Sequence, residues 1–301
     1  MARRIILVTG GTGQVGHELL RQPWPEDVTL LAPGRDNLDL ASAKSIAAWF
    51  ADGEVDCIIN AAAYTAVDRA ENDAGSAFLV NAQGPAWLAD VARARDIPLL
   101  HVSTDYVFDG TLNRPYREDD FVAPLGVYGA SKLAGELAVR ASAPRHVILR
   151  TAWVISAHRS NFLKTMLRLA AERDELRVVA DQLGCPTGAQ DIAAALRTIA
   201  LAHLDSAATP CGTYHFVNAG STTWHGLAEA IMATSAQHGG PSALVIPIKT
   251  DEFPTPARRP LNSRLNSARI EKDFGIVAQP WQNAVAAIVS ELNGTQREIS
   301  A

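Results

Sequence analysis

Short apolar runs alternate along the first half of the chain with longer stretches in which apolar positions recur every three or four residues. The runs at 5–8, 28–31, 57–60 and 99–103, with a fifth at 147–150, are rich in Ile, Leu and Val, as strands covered on both faces are. The stretches at 16–21, 41–50 and 74–95 combine helix formers with helical spacing. This alternation predicts stacked βα units on a parallel sheet, an α/β fold of the doubly wound type. Beyond residue 151 the pattern is mixed. Residues 161–172, 192–203 and 224–235 predict helices and 214–217 a strand, while Pro247, Pro254, Pro256 and Pro260 predict an irregular segment rather than another βα unit. There is no internal repeat. The expected organisation is a Rossmann-type domain over 1–155 with a returning segment at about 181–220, and a smaller, discontinuous cap over most of 156–301.

Composition narrows the class. At 301 residues the chain is long enough to bury a sizeable core, and with 48% hydrophobic and 20% charged residues it is an ordinary globular protein. A net charge of -5 argues against a nucleic-acid surface but leaves room for a local basic pocket. The run at 5–8 is too short for a signal-peptide core, and no run approaches the roughly 18 apolar residues of a membrane span. Cys57, Cys185 and Cys211 are odd in number and widely spaced, so neither a disulfide framework nor a zinc pair is suggested. The expectation is a cytoplasmic protein that binds neither nucleic acid nor membrane.

The first apolar run leads into Thr9-Gly10-Gly11-Thr12-Gly13-Gln14-Val15-Gly16. Glycines at 10, 13 and 16 between a strand and a helix let the backbone turn sharply and approach a pyrophosphate, which the helix amides and dipole then attract. A glycine-rich turn without a ligand is the alternative, and the strand-turn-helix context favours a dinucleotide. At the end of the second run an acid would hold a ribose and an Arg would accept a 2′-phosphate. Ala32-Pro33-Gly34-Arg35-Asp36 is ambiguous: Arg35 tilts towards NADPH, although it also fits a solvated loop. Asp39 and Leu40 are placed to close over the adenine. Ala61, Ala62 and Ala63 follow the third run with the small side chains that a close backbone approach needs.

Tyr128 and Lys132 stand four residues apart, one helical turn along one face. A phenol, with its ordinary pKa near 10, is a sluggish proton relay unless a cation favours the phenolate, and Lys132 is expected to be that cation. An exposed Tyr-Lys pair is the common alternative. Thr104 ends the fourth run at the carboxyl edge where open α/β sheets bind ligands, and can hydrogen-bond the carbonyl oxygen that Tyr128 protonates.

The glycine turn, NAAAYTAVDRAE from Asn60, STDYVFDG from Ser103 and YGASKLAGE from Tyr128 resemble the extended short-chain dehydrogenase/reductase family. Within it, RTAWV from Arg150, NFLKTMLRLA from Asn161, DQLGCPTGA from Asp181 and PTPARRPLNSRLN from Pro254 resemble the dTDP-4-dehydrorhamnose reductase group over nearly the whole chain. The resemblance implies reduction of the 4-keto group of a dTDP-linked sugar by NADPH or NADH. It also implies that Thr104, Tyr128 and Lys132 are catalytic, with Lys132 holding the nicotinamide ribose. Gly13, Gln14 and Val15 would contact the pyrophosphate, and Thr104, Asp105 and Trp153 the sugar. Trp153 otherwise reads as a core aromatic. Arg258, Arg259 and Arg264 are candidates for the sugar's diphosphate.

Some members of the group are magnesium-bridged dimers, so a homodimer is within expectation. Glu18 and Glu291 match two of the three metal carboxylates, but Gln190 stands where the middle one is expected, and an amide is a poor ligand for a hard cation. No metal is therefore expected. Two other readings share the pattern: a nucleotide-sugar epimerase or dehydratase, which would retain NAD through each turnover, and a non-catalytic regulatory subunit of the methionine adenosyltransferase type.

Overall fold

A computed structural model describes residues 3–300; positions 1, 2 and 301, at the outer ends of the two expected ranges, lie outside the described residues. Six parallel strands form the central sheet: β1 (Arg4–Thr9), β2 (Val28–Leu31), β3 (Cys57–Asn60), β4 (Leu99–Thr104), β5 (His146–Thr151) and β6 (Gly212–His215). Their order is β6-β5-β4-β3-β1-β2. The chain reverses direction between β1 and β3, and a crevice at the carboxyl ends of the strands there is where such sheets bind ligands.

The helices follow local signals. They are α1 (Gln14–Arg21), α2 (Ala43–Asp52), α3 (Gly84–Arg95), α4 (Val127–Ser142), α5 (Phe162–Ala170), α6 (Ala189–Asp205), α7 (Trp224–Gln237) and α8 (Trp281–Ser300). Ser42, Asn161 and Thr223 cap α2, α5 and α7 by accepting from the backbone amides of Ser45, Lys164 and Gly226. On one face of the sheet Ile6, Val8, Leu100 and Leu149 pack with Leu19 of α1 and Ile192 and Leu196 of α6. On the other, Leu7, Ile58, Leu99 and Ile148 pack with Ile46, Leu88 and Val139 of α2, α3 and α4. Each such side chain contributes roughly 1.5–3 kcal/mol when fully buried. A third cluster, with Leu163, Ile231 and Val285, joins α5, α7 and α8.

The same face as Leu7 also carries polar residues. Thr9, Asn60 and His101 are in register on β1, β3 and β4, and Ser103, Arg150 and His215 on β4, β5 and β6. Both rows lie near the carboxyl ends of their strands.

Three expectations need correction. The helix predicted over 74–95 is interrupted by a π turn at Leu79–Gln83, within which Asn81 is fully buried. Its side chain accepts from the Tyr64 amide and donates to the Tyr64 carbonyl and the Ser131 hydroxyl. Pro247 does not lie in an irregular segment: Leu244–Ile248 is a strand parallel to Glu175–Val179. The irregular stretch begins after the short 3-10 turn at Thr250–Glu252. The last two helices, Ala268–Phe274 and α8, had not been anticipated. Among the described residues, no helix is long and apolar enough to cross a membrane.

Candidate active site

A cavity of about 760 Å³ opens over the carboxyl ends of β1, β3 and β4. One end is made by the glycine turn. Gly10 has φ +72°, and a Cβ there would lie 2.7 Å from the Ala62 nitrogen, so the turn and the Ala61–Ala63 segment can meet this closely only with glycine. Gly13 donates to the Gly10 carbonyl at 2.8 Å and stands before α1 with no side-chain cap, leaving first-turn amides for an anion. Gly13, Gln14 and Val15 line the cavity, as do Ala61, Ala62 and Ala63. Gly16 does not; it lets α1 pack directly on the turn, since a Cβ would run into the Gly10 carbonyl. Arg35, Asp39 and Leu40 also line the cavity. Arg35 is largely exposed, its Nε 3.3 Å from Asp39. Arg159, in a left-handed conformation at φ +61°, reaches over to donate to the Thr12 carbonyl.

The other end gathers Thr104, Asp105, Tyr128, Lys132 and Trp153. β4 delivers Thr104 at its carboxyl end and α4 places Tyr128 and Lys132 one turn apart. Thr104 hydrogen-bonds the Tyr128 phenol, but burial outweighs that bond and pushes the phenol up to about 12. Among the described residues, the expected phenolate-favouring contact with Lys132 is not made: Lys132 Nζ donates instead to the Val102 carbonyl at 2.7 Å. A phenol that keeps its proton at neutral pH is what a general acid requires. Lys132 is itself almost fully buried, which lowers it to about 8 against the opposing pull of Glu136.

Asp105 lies beside this pair. Its Oδ1 accepts from Thr104 at 2.9 Å, while Oδ2 has no hydrogen-bond partner among the described residues. Burial raises the carboxyl to about 7, with the Ser263 and Thr104 hydroxyls opposing. The folded protein thus binds this proton more tightly than the unfolded chain. The carboxyl's contribution to stability is full below about pH 4 and is lost as pH rises through about 7. Asp105→Asn is therefore expected to raise the melting temperature by more at pH 8 than at pH 5, read by calorimetry at both; an equal shift would contradict the assignment.

Trp153, at φ +46°, stacks on Trp224 with ring centroids 3.5 Å apart and planes 6° from parallel. Both line the cavity. Sequence reasoning missed Trp224, Tyr106 and Arg159 in the wall. Trp224 sits at the start of α7, 71 positions after Trp153, and no local signal joins them. Tyr106 falls inside the STDYVFDG motif that had marked its neighbours. The three arginines of the irregular segment are not in this wall. Arg259 pairs with Asp68 at 2.8 Å, Arg264 donates to Asn262 and the Asn113 carbonyl, and Arg258 is exposed. Arg35 and Arg159 are the arginines that line the cavity.

The positions considered for magnesium lie elsewhere. Arg21 Nη1 is 2.8 Å from Glu291 and 3.7 Å from Glu18, and His158 Nε2 is 3.5 Å from each carboxylate. Gln190 is exposed on the first turn of α6. A guanidinium already bridges the two carboxylates, and the third donor is a neutral amide, so these residues do not fit a magnesium ion.

The model of the family described as RmlD substrate binding domain matches residues 3–293. The chain belongs to this family. It is similar to dTDP-4-dehydrorhamnose reductase from Sinorhizobium fredii, with 45% identity over 285 residues, 94% of this chain and 96% of the relative. To the enzyme of the same name from Escherichia coli strain K12 it is 41% identical over 295 residues, 95% and 97% of the two chains. A crystal structure of the Bacillus anthracis dTDP-4-dehydrorhamnose reductase in complex with NADP superposes with a TM-score of 0.89 at 32% identity, covering 96% of this chain and 99% of that one. The fold is thus shared with that enzyme over nearly full length.

Proposed function

We propose that this chain uses NADPH or NADH to reduce the 4-keto group of dTDP-4-dehydro-β-L-rhamnose, giving dTDP-L-rhamnose for rhamnose-containing cell-surface polysaccharide. One observation carries the reading: the glycine turn and the Thr104, Tyr128 and Lys132 set line opposite ends of a single cavity. The fit to a dinucleotide rests on Gly10, whose missing Cβ leaves the backbone cradle open, and on the uncapped amides of α1. When bound there, the nicotinamide supplies the hydride. Thr104 and Tyr128 hydrogen-bond the sugar carbonyl, and Tyr128 gives its proton to the developing alkoxide. Lys132 holds the ribose. Asp105 and the Trp153 face orient the sugar. The sheet-bearing part over 1–155, with its returning segment, holds the cofactor, and the rest of 156–301 closes over the sugar. The reaction takes place in the cytoplasm and without metal.

The test is purified protein with the keto sugar and each cofactor, followed at 340 nm with the product identified. Stoichiometric oxidation of NADPH or NADH and formation of dTDP-L-rhamnose are expected. A retained cofactor with isomerised or dehydrated sugar would mark an epimerase or dehydratase, and no turnover would favour a regulatory subunit. Because Arg21 already bridges Glu18 and Glu291, EDTA is expected to leave the rate unchanged; loss restored by magnesium would contradict this. Arg35→Ala should raise KM for NADPH by about tenfold, the loss of a charge-assisted contact to the 2′-phosphate, and leave KM for NADH unchanged. A parallel rise for both cofactors would remove Arg35 from that role.

A further inference from the structure

Among the described residues, no carboxylate pairs with Lys132. The carboxylate one turn on, Glu136, is taken up by Arg150 at 2.7 Å and Arg140 at 3.0 Å, and by the Ser103 hydroxyl at 2.6 Å. Facing the lysine instead are the Val102 carbonyl, to which Nζ donates at 2.7 Å, and the polar row on β1, β3 and β4, which is hydrogen-bonded from end to end. Thr9 donates to Asn60 Oδ1 at 2.6 Å, Asn60 Nδ2 lies 3.0 Å from His101 Nδ1, and His101 Nε2 lies 3.5 Å from Lys132 Nζ. All three row members are buried.

The direction of this row is settled at its far end. The Ala62 backbone amide, 3.3 Å from Asn60 Oδ1, can only donate. It pins the Asn60 carbonyl on that side and turns the amide nitrogen towards His101. His101 Nδ1 must then accept, which puts the ring proton on Nε2. Burial keeps the imidazole neutral, its affinity for a second proton well below ordinary. An N–H aimed at Lys132 Nζ can pair with the lone pair of an amine and repels an ammonium.

We infer that the Thr9-Asn60-His101 row is a positioning device that, by presenting an N–H to Lys132, biases the lysine towards its neutral form. His101 acts through Lys132 and touches neither cofactor nor sugar in this role. The inference rests on the proposed reductase reading, in which Tyr128 must recover a proton after each turnover. A loosely held ammonium proton is the easier one to pass on, one proton leaving Lys132 for each one regained by the phenolate. The other charged or titratable groups around the lysine are Glu136, Arg140 and Arg150, which satisfy one another, Tyr128 one turn before it, and beyond the phenol Asp105, raised by burial to about 7, which both variants leave in place.

The test reads the lysine directly. Full-length protein carrying 13C at lysine Cε is titrated by NMR without cofactor or sugar, the Lys132 signal being assigned by its loss in Lys132→Arg. In the unaltered protein a midpoint near 8 is expected. Asn60→Asp, nearly isosteric, would accept a hydrogen bond from His101 Nδ1, shifting the ring proton there and turning the Nε2 lone pair towards the lysine. His101→Gln would offer an amide oxygen without adding charge. Both should raise the midpoint by about one pH unit, tenfold in proton affinity, and move the alkaline limb of kcat/KM the same way, with KM for NADPH unchanged. A rise in Asn60→Asp alone would be a simple charge effect and would overturn the inference, as would an unmoved midpoint in both variants. Failure of the protein to turn over the keto sugar would reject the reductase reading and leave this titration standing.

Discussion

Tyr128→Phe is expected to lower kcat by about 10²–10⁴-fold, the range a positioned general acid contributes, while NADPH affinity and melting temperature stay close to those of the unaltered protein. The substitution removes only the hydroxyl. The ring keeps its edge contact with Tyr106, with centroids 5.9 Å apart, and α4 keeps its backbone. Without the phenol the developing alkoxide has Thr104 as a partner but no proton at the right place. Single-turnover kinetics with NADPH separate the outcomes: a slowed hydride step with unchanged binding supports the role, whereas unchanged turnover would dismiss Tyr128 as the acid.

Glu136→Leu should cost about 3–5 kcal/mol of stability, because it strands a buried guanidinium. Arg150 is 2% exposed and Glu136 fully buried, joined by two hydrogen bonds of 2.9 and 2.7 Å. The pair itself is weak evidence of net stabilisation, since both charges gave up water to form it; breaking one side is what is costly. Urea unfolding of the variant checks the figure. A loss below about 1 kcal/mol would mean that Arg150 finds other partners, such as the Phe108 ring over which its guanidinium lies at 5.1 Å. The combined variant Glu136→Leu with Arg150→Met should recover much of the loss.

How far the sequence could be read depended on the range of the interactions involved. The strands at β1, β3, β4 and β5 were visible because burial on both faces leaves each rich in Ile, Leu and Val, with polar residues gathered towards their carboxyl ends. The interrupted helix was not, because Asn81 is drawn inward by Tyr64 and Ser131, partners 17 and 50 residues away. Pro247 looked like a breaker, but it lies in a two-stranded ladder outside the main sheet. The helices at the chain's end carry no motif and were passed over.

By itself the sequence determined the alternation of strands and helices, the glycine turn between β1 and α1, and the spacing that puts Tyr128 and Lys132 on one face. Each is set by neighbours within a turn or a strand. Only the tertiary structure decided the charges and the company of these groups. Burial keeps the proton on Tyr128, places Asp105 near 7, and gives Lys132 a carbonyl and an imidazole in place of a carboxylate. It also brings Trp224 onto Trp153 and leaves the three candidate arginines outside the cavity wall. Desolvation and partner choice depend on everything packed around a group, and that environment comes from segments far apart in the chain.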